Sequence, residues 1–83
     1  MGRGKAEQPG RLAEKLKQIR LKLELSQDAM AQALERHGVK VHKGYISYYE
    51  SGLRAPTVLI ILAYARIAGV PMETLVDDEL DLP

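Results

Sequence analysis

One face of a helix is outlined near the start of the chain by four apolar residues at steps of four, three and four: Leu12, Leu16, Ile19 and Leu23. This spacing is typical of an amphipathic helix that buries one side. It predicts a first helix from Arg11 to Leu25. The charged residues between the apolar ones are predicted to face solvent: Glu14, Lys15, Lys17 and Lys22.

A second helix is predicted from Ser26, whose hydroxyl can accept a hydrogen bond from a free amide of the first turn, to about His37. Its apolar positions form a narrow stripe: Ala29, Met30, Ala33 and Leu34. Gly38 follows, and glycine adopts positive φ after a helix without steric cost. Val39 to His42 then alternates apolar and basic residues, which predicts an extended connection.

The next helix is predicted from Lys43 to Ser51, with Gly52 at its end. Ile46 and Tyr49 are predicted to face the core, so most of the helix surface has no apolar side to bury. A helix of nine residues is not stable on propensity alone and has to pack on its neighbours. Its exposed side is therefore the candidate functional surface.

Two further helices complete the pattern. Thr57 can cap a helix from Val58 to Ala68, which Gly69 would end. Pro71 can occupy the first position of a fifth helix that continues to about Asp77. The fold class predicted is therefore all-α, a compact bundle of five short helices.

The two ends of the chain differ in composition from the middle. Residues 1–10 contain Gly, Pro and basic residues and predict a flexible basic arm, while residues 78–83 predict a loose acidic tail. Residues 11–77 then form the single domain that a chain of 83 residues can close around one core.

The helix from Val58 is apolar on more than one side. Four of its residues are expected in the core: Val58, Ile61, Leu62 and Ala65. Four others make the remaining surface apolar as well: Leu59, Ile60, Ala63 and Ile67. An apolar face of this kind predicts a homodimer interface, and the alternative is a deeper core.

Charge and composition narrow the class of protein. Residues 1–54 carry eleven Lys or Arg against six Asp or Glu, a net +5, whereas residues 55–83 carry a net −4. The asymmetry favours a polyanionic partner for the first part. No cysteine is present, and neither a secretory signal nor an apolar run of membrane-spanning length is found. We expect a cytoplasmic, nucleoid-associated protein of bacterial or phage type with no membrane partner.

The segment LSQDAMAQAL, followed by KGYISYYESG and LRAP, resembles the phage-repressor-type (XRE, Cro-like) helix-turn-helix regulators. The likeness runs from about Leu12 to Val76 and depends on an ordered set of residues: Ser26, Gln27, Ala31, Ile46, Ser47, Glu50, Gly52 and Pro56. It implies a lambda-repressor-like DNA-binding domain. The first residues of the second and third helices, Gln27 and Lys43, lie sixteen positions apart. This separation is longer than is usual in that family, so the turn between the two helices is enlarged.

The resemblance also implies roles for individual residues. The helix from Lys43 would lie in the major groove, with base edges approached by Lys43, Gly44, Tyr45 and Tyr48, and Ser47 is a further candidate DNA-binding residue. For Tyr45 the alternative is a role in the core or in support of the helix. Gln27 would contact phosphate or brace a recognition residue, and Arg54 would meet the DNA backbone. Lys40 and His42 in the enlarged turn are candidates for added backbone contacts. Glu50 is expected to make a structural hydrogen bond or ion pair.

The main hypothesis is sequence-specific binding of double-stranded DNA by a transcriptional regulator, a repressor that acts as a homodimer on a palindromic operator. The alternative is an antitoxin-like interaction module in which helices 4 and 5 and the acidic tail bind a partner protein. An enzyme is not expected, since no nucleophile and base stand at a usable spacing. No cofactor or metal is expected either, because His37 and His42 lack further ligands in a metal-binding pattern.

Overall fold

The structure is a computed structural model that describes residues 9–83, in which five α-helices and no strand are found. The helices are α1 (Leu12–Lys22), α2 (Gln27–Arg36), α3 (Lys43–Ser51), α4 (Val58–Ala68) and α5 (Met72–Val76). The all-α prediction is confirmed. The predicted arm lies outside the described residues except for Pro9 and Gly10. None of the helices in the described part of the chain is long and apolar enough to span a membrane.

The helices enclose a single core. α3 packs on α1 and α2, while α4 packs on α1, α2 and α5, and α5 also contacts α1. The largest fully buried side chains come from every helix: Leu12, Leu16, Met30, Leu34, Ile46, Tyr64 and Leu75. α3 therefore lies on the outside of a platform made by the first two helices.

Side-chain caps fix where the middle helices begin. The hydroxyl of Ser26 accepts a hydrogen bond from the N–H of Ala29 at 3.0 Å. Thr57 caps α4 in the same way, with its hydroxyl 3.3 Å from the N–H of Ile60. Both caps were expected, because each hydroxyl satisfies an amide that has no partner within the helix.

The first helix ends earlier than its apolar pattern predicts. α1 stops at Lys22, and Glu24 adopts a left-handed conformation with φ 58°. The N–H of Leu25 then donates to the carbonyl of Arg20 at 3.1 Å. This turn directs Leu25 towards the core, whereas Leu23 is exposed. The prediction that Leu23 belongs to the buried face is therefore wrong.

The enlarged turn between α2 and α3 packs against the domain. Gly38 has a φ of 91°, and the N–H of Val39 donates to the carbonyl of Leu34 at 3.1 Å. Val39 and Val41 pack on the core, while Lys40 between them is exposed. The alternation in sequence thus corresponds to an extended segment with one apolar side.

The C-terminal segment is bound to α1, so the expectation of a loose tail is wrong. The Asp78 carboxylate accepts hydrogen bonds from the N–H groups of Gly10 at 2.8 Å and Arg11 at 3.1 Å. The Arg11 guanidinium donates to the carboxylate of Asp81 at 2.7 Å. These contacts hold the residues after α5 across the start of α1.

Lys15, which was expected to face solvent, is buried with 3% of its surface exposed. Its ammonium group donates to the carbonyls of Thr74 at 2.8 Å, Asp77 at 2.9 Å and Leu80 at 2.7 Å. An ammonium group has three donors and needs three acceptors when it is removed from water. The three carbonyls supply them.

The apolar surface of α4 divides differently from the prediction. Ile60 and Ala63 are buried in the core, so their assignment to an exposed dimer stripe is wrong, and Ile67 is half-buried. Leu59 is exposed, as expected, at 64%, but Val58 is also exposed at 63% and does not serve the core. Val58 and Leu59 therefore lie in solvent at the first turn of α4, while Ile60 and Ile61 next to them are buried.

Candidate nucleic-acid interface

A buried ion pair joins the back of α3 to α1. The Arg20 guanidinium donates from Nε to Glu50 Oε2 at 2.6 Å and from Nη2 to Glu50 Oε1 at 3.0 Å. Arg20 Nη1 also donates to the carbonyl of Leu25 at 2.9 Å. The two side chains are only 13% and 5% exposed, and the hydrogen bond that Arg20 donates to Glu50 raises the pKa of Arg20. The structural role expected for Glu50 is confirmed.

Gln27 connects α2 to the same carboxylate. Its amide nitrogen lies 3.4 Å from Glu50 Oε1, so side chains of α1, α2 and α3 meet at Glu50. Arg20 was not among the predicted residues, although its position four residues after Leu16 places it at the edge of the buried face of α1. That position, together with an acidic residue on a neighbouring helix, is the sequence signal that marks it.

The beginning of α3 is capped by a histidine. His42 Nδ1 accepts a hydrogen bond from the N–H of Gly44 at 3.1 Å. A Cβ atom on Gly44 would lie 3.3 Å from that nitrogen, so glycine leaves room for the cap. The ring of His37 has a separate partner, the carbonyl of Ala33 at 3.1 Å.

Lys43, the first residue of α3, lies beside the first turn of α2. Its ammonium nitrogen is 3.6 Å from Asp28 Oδ2, and both side chains are largely exposed. An ion pair in solvent contributes little free energy. Lys43 can therefore exchange this carboxylate for another anionic or acceptor group at small cost.

Three tyrosine rings and one guanidinium group form a cluster around Tyr45. The Tyr45 ring centroid lies 5.9 Å from that of Tyr48 and 6.3 Å from that of Tyr49. The Arg54 guanidinium carbon lies 4.7 Å from the Tyr45 centroid, over the ring. Tyr49 is buried, as predicted, and burial raises its pKa. Tyr45 supports the cluster and is also 39% exposed, while Tyr48 is 43% exposed.

The structure brings most of the predicted site residues to one side of α3. Ile46 and Tyr49 face inward, and the exposed residues of the helix are Lys43, Gly44, Tyr45, Ser47, Tyr48 and Ser51. His42 and Lys40 are exposed in the preceding connection, and Arg54 is exposed in the following loop. Gln27 is half-buried and contacts the back of the helix through Glu50.

A domain in which a capped second helix supports an exposed third helix has the architecture of a helix-turn-helix protein. A family model described as helix-turn-helix matches residues 16–75. The chain belongs to this family, in its XRE/Cro-like form, and is thus a DNA-binding regulator of the XRE type. Neither the comparison with curated proteins nor the comparison with solved structures gives a match.

Proposed function

We propose that the protein binds double-stranded DNA sequence-specifically and acts as a transcriptional repressor, with α3 lying in the major groove. The observation that supports the proposal is that α3 has one buried side and one exposed side. Its inner side chains are held by the core and by the Arg20–Glu50 ion pair, while its outer side chains are free to contact a ligand. The major groove is wide enough for such a helix, and each base pair presents a distinct pattern there.

Lys43 and Ser47 supply polar contacts to base edges in this proposal. Lys43 donates to O6 or N7 of guanine, after exchanging Asp28 for the base. Gly44 lets the backbone of α3 approach the groove closely, because it has no side chain. Gln27 at the start of α2 contacts phosphate, as amides and side chains at helix N-termini do.

Arg54 is proposed to contact a phosphate from the loop after α3. A guanidinium group that stacks on a ring uses its face, and its N–H groups remain available at the edge. Tyr45 therefore acts as a positioning residue that orients Arg54. Lys40 and His42 are proposed to add phosphate contacts on the other side of α3.

The protein is proposed to act as a homodimer on a palindromic operator. Three exposed apolar residues lie close together in sequence around the start of α4, and we call them the α4 patch: Leu53, Val58 and Leu59, which are 77%, 63% and 64% exposed. A second copy that covers this patch would bury it, and the two α3 helices of such a dimer are expected to bind half-sites about 34 Å apart.

The alternative function, a partner-binding module that uses helices 4 and 5 and the acidic tail, has less support. Asp78 and Asp81 are bound to residues at the start of α1. A partner protein would have to displace these contacts before it could use the carboxylates.

The test of DNA binding is selection of bound duplexes from a random library, followed by titration of variants. Lys43→Ala and Tyr48→Ala are expected to weaken the selected site more than random DNA, whereas Arg54→Ala weakens both alike. Arg66→Ala, which removes an exposed arginine of α4, is the matched control and is expected to change neither. Equal losses on all sequences for Lys43→Ala and Tyr48→Ala would reject the assigned roles.

The positioning role of Tyr45 is tested by the salt dependence of binding. Loss of one phosphate contact lowers the slope of log K against log salt by about 0.9. Because the proposed homodimer carries two copies of each residue, Arg54→Ala and Tyr45→Leu are each expected to lower the slope by about 1.8, and the double variant is expected to lower it no further. Tyr45→Phe keeps the ring and is expected to keep the slope. An unchanged slope in Tyr45→Leu would exclude the positioning role.

The homodimer is tested by sedimentation of the full chain. The protein is expected to sediment as two chains, and Leu59→Glu is expected to give a single chain with weaker operator binding. Leu21→Glu, which changes an exposed leucine of α1, is the control and should leave the dimer intact. A wild-type monomer at high micromolar concentration would contradict the dimer.

A further inference from the structure

The exposed face of α3 contains few groups that can make specific hydrogen bonds to bases. The helix, KGYISYYES, has no Asn, Gln or Arg, which are the residues that form most bidentate contacts to adenine and guanine. Lys43 is its only charged donor and lies at one end, while its other exposed side-chain donors are hydroxyl groups of serine and tyrosine. The central part of the face consists of Ser47 and two tyrosine rings.

The two rings form a fixed apolar surface. Tyr45 and Tyr48 lie with their centroids 5.9 Å apart and their planes inclined by 33°. Tyr45 is held by the Arg54 guanidinium on its face and by the ring of Tyr49, which meets it at 69°. The outer parts of both rings are in solvent, and they are the largest apolar area that α3 offers to a ligand.

Among the groups that line the major groove, the C5-methyl group of thymine is apolar, whereas the others are hydrogen-bond donors or acceptors. We propose that Tyr45 and Tyr48 recognise C5-methyl groups of pyrimidines in the operator, and that thymine is their source. The inference rests on the proposed function, since it requires α3 to lie in the major groove. It predicts a selected half-site with thymine at one or more positions opposite these rings.

The test replaces thymine by uracil, one position at a time, in the operator obtained by selection. Uracil keeps every hydrogen-bonding group of thymine and lacks only the methyl group. Each methyl group that packs on a ring is expected to contribute about fourfold in affinity, equivalent to about 0.8 kcal/mol for one buried carbon. At least one position in the half-site should show this loss.

Substitutions of the two tyrosines test whether their rings cause the preference for thymine over uracil. Tyr48→Ala or Tyr45→Ala is expected to abolish the preference for thymine over uracil at one position. Tyr48→Phe keeps the apolar ring and is expected to keep the preference. Lys43→Ala should weaken binding and also keep the preference. Circular dichroism and urea denaturation establish that each variant is folded, which is expected because Tyr48 is exposed.

5-Methylcytosine carries the same C5-methyl group as thymine. A second experiment therefore tests which of the two bases the rings recognise. At the sensitive position, the T·A pair is replaced by C·G with and without methylation of the cytosine. Methylation is expected to restore about fourfold of the affinity lost, with T·A remaining the tightest. A methylated site bound more tightly than T·A would overturn the assignment to thymine.

The outcomes of the two proposals are distinguishable. If a preferred sequence is selected and uracil is tolerated at every position, the methyl inference is overturned and the DNA-binding function stands. If the preference for thymine persists in both alanine variants, the rings are not its source and the inference also fails. If selection gives no preferred sequence, the proposed function itself fails, and the inference with it.

Discussion

Two regions of the molecule use the same kinds of charged residue in opposite ways. At the α1–tail end, which comprises residues 10–22 and 77–83, three cations are engaged by acceptors of the protein itself. Arg11 binds Asp81, Lys15 binds three carbonyls, and the ammonium group of Lys22 lies 2.9 Å from the carbonyl of Pro83. On the α3 side, Lys43 has only an exposed partner and Arg54 stacks on a ring.

The difference teaches that net charge along a sequence is not the charge available to a ligand. The net +5 of residues 1–54 includes Arg11, Lys15 and Lys22, which are engaged by the C-terminal segment. The ion pair between Arg20 and Glu50 adds nothing to this net charge, because both residues lie within residues 1–54. Among the described residues, the exposed cations near α3 that are available to a polyanion are Lys40, Lys43 and Arg54.

Among these charged contacts, the Arg20–Glu50 ion pair between α1 and α3 is expected to make the largest contribution to the free energy of unfolding. Glu50→Ala leaves the Arg20 guanidinium buried without its carboxylate, which is expected to cost about 3 kcal/mol of unfolding free energy. That loss is a large part of the about 5–15 kcal/mol that a domain of this kind possesses. Urea denaturation of the full chain measures it.

The control is the exposed ion pair between Lys43, at the start of α3, and Asp28 of α2. Asp28→Ala removes the partner of Lys43 and is expected to cost less than about 0.5 kcal/mol, because both groups are solvated. Equal costs for the two substitutions would show that the buried pair does not hold α3 in place.

A smaller loss of unfolding free energy is expected from a substitution at the α1–tail end. Lys15→Met keeps the length of the side chain but leaves the carbonyls of Thr74, Asp77 and Leu80 without their donor. The expected cost is about 2 kcal/mol, typical of hydrogen bonds to a charged group. Urea denaturation is again the measurement, with DNA affinity determined beside it.

Lys17→Met is the matched control, because Lys17 is an exposed lysine of the same helix. It should change the unfolding free energy by less than about 0.5 kcal/mol. If both variants lose the same stability, the three-carbonyl site does not anchor the tail. If Lys15→Met weakens DNA binding while the domain stays folded, the two regions are coupled and the α1–tail end contributes to DNA binding.

The middle of the chain could be predicted from sequence because its signals are local. The bounds of α3 and α4 follow from caps such as Thr57 and from Gly52 and Gly69, whose φ values are 81° and 73°. The outer side of α3 was also predictable, since Ile46 and Tyr49 are its only residues that enter the core.

The ends of the chain were less predictable because their contacts join residues that are distant in sequence. Lys15 lies on the same face as Leu12 and Ile19, but its acceptors come from residues at least 59 positions away. The end of α1 was missed because Glu24 takes the left-handed conformation where glycine is the usual signal.

The dimer stripe was partly misassigned for a different reason. α4 is apolar around most of its circumference, so periodicity does not select its buried face. Packing against α1, α2 and α5 decides it, and this packing takes Ile60 and Ala63 into the core. The residues left outside, Val58 and Leu59, lie at its first turn.

The smallest expected effect is a pH dependence at the α1–tail end. The backbone N–H groups of Arg11 and Gly10 lower the pKa of Asp78 from its ordinary value of 3.8. A carboxylate whose folded-state pKa is depressed stabilises the fold fully above its unfolded-state pKa, and the contribution is lost as pH falls through the folded-state value. The wild type should therefore be more stable than Asp78→Asn by a constant amount above about pH 5, and the difference should shrink below 3.8.

Urea denaturation of both proteins between neutral pH and acid measures this difference, which is kept small by the solvent exposure of Asp78. A difference that stays constant into acid would mean that the carboxylate charge does not stabilise the start of α1. DNA affinity at neutral pH should be the same for both proteins, because Asp78 contacts Gly10 and Arg11 and none of the residues proposed to contact DNA. A change in operator affinity without a change in fold would instead place the tail within the DNA-binding surface.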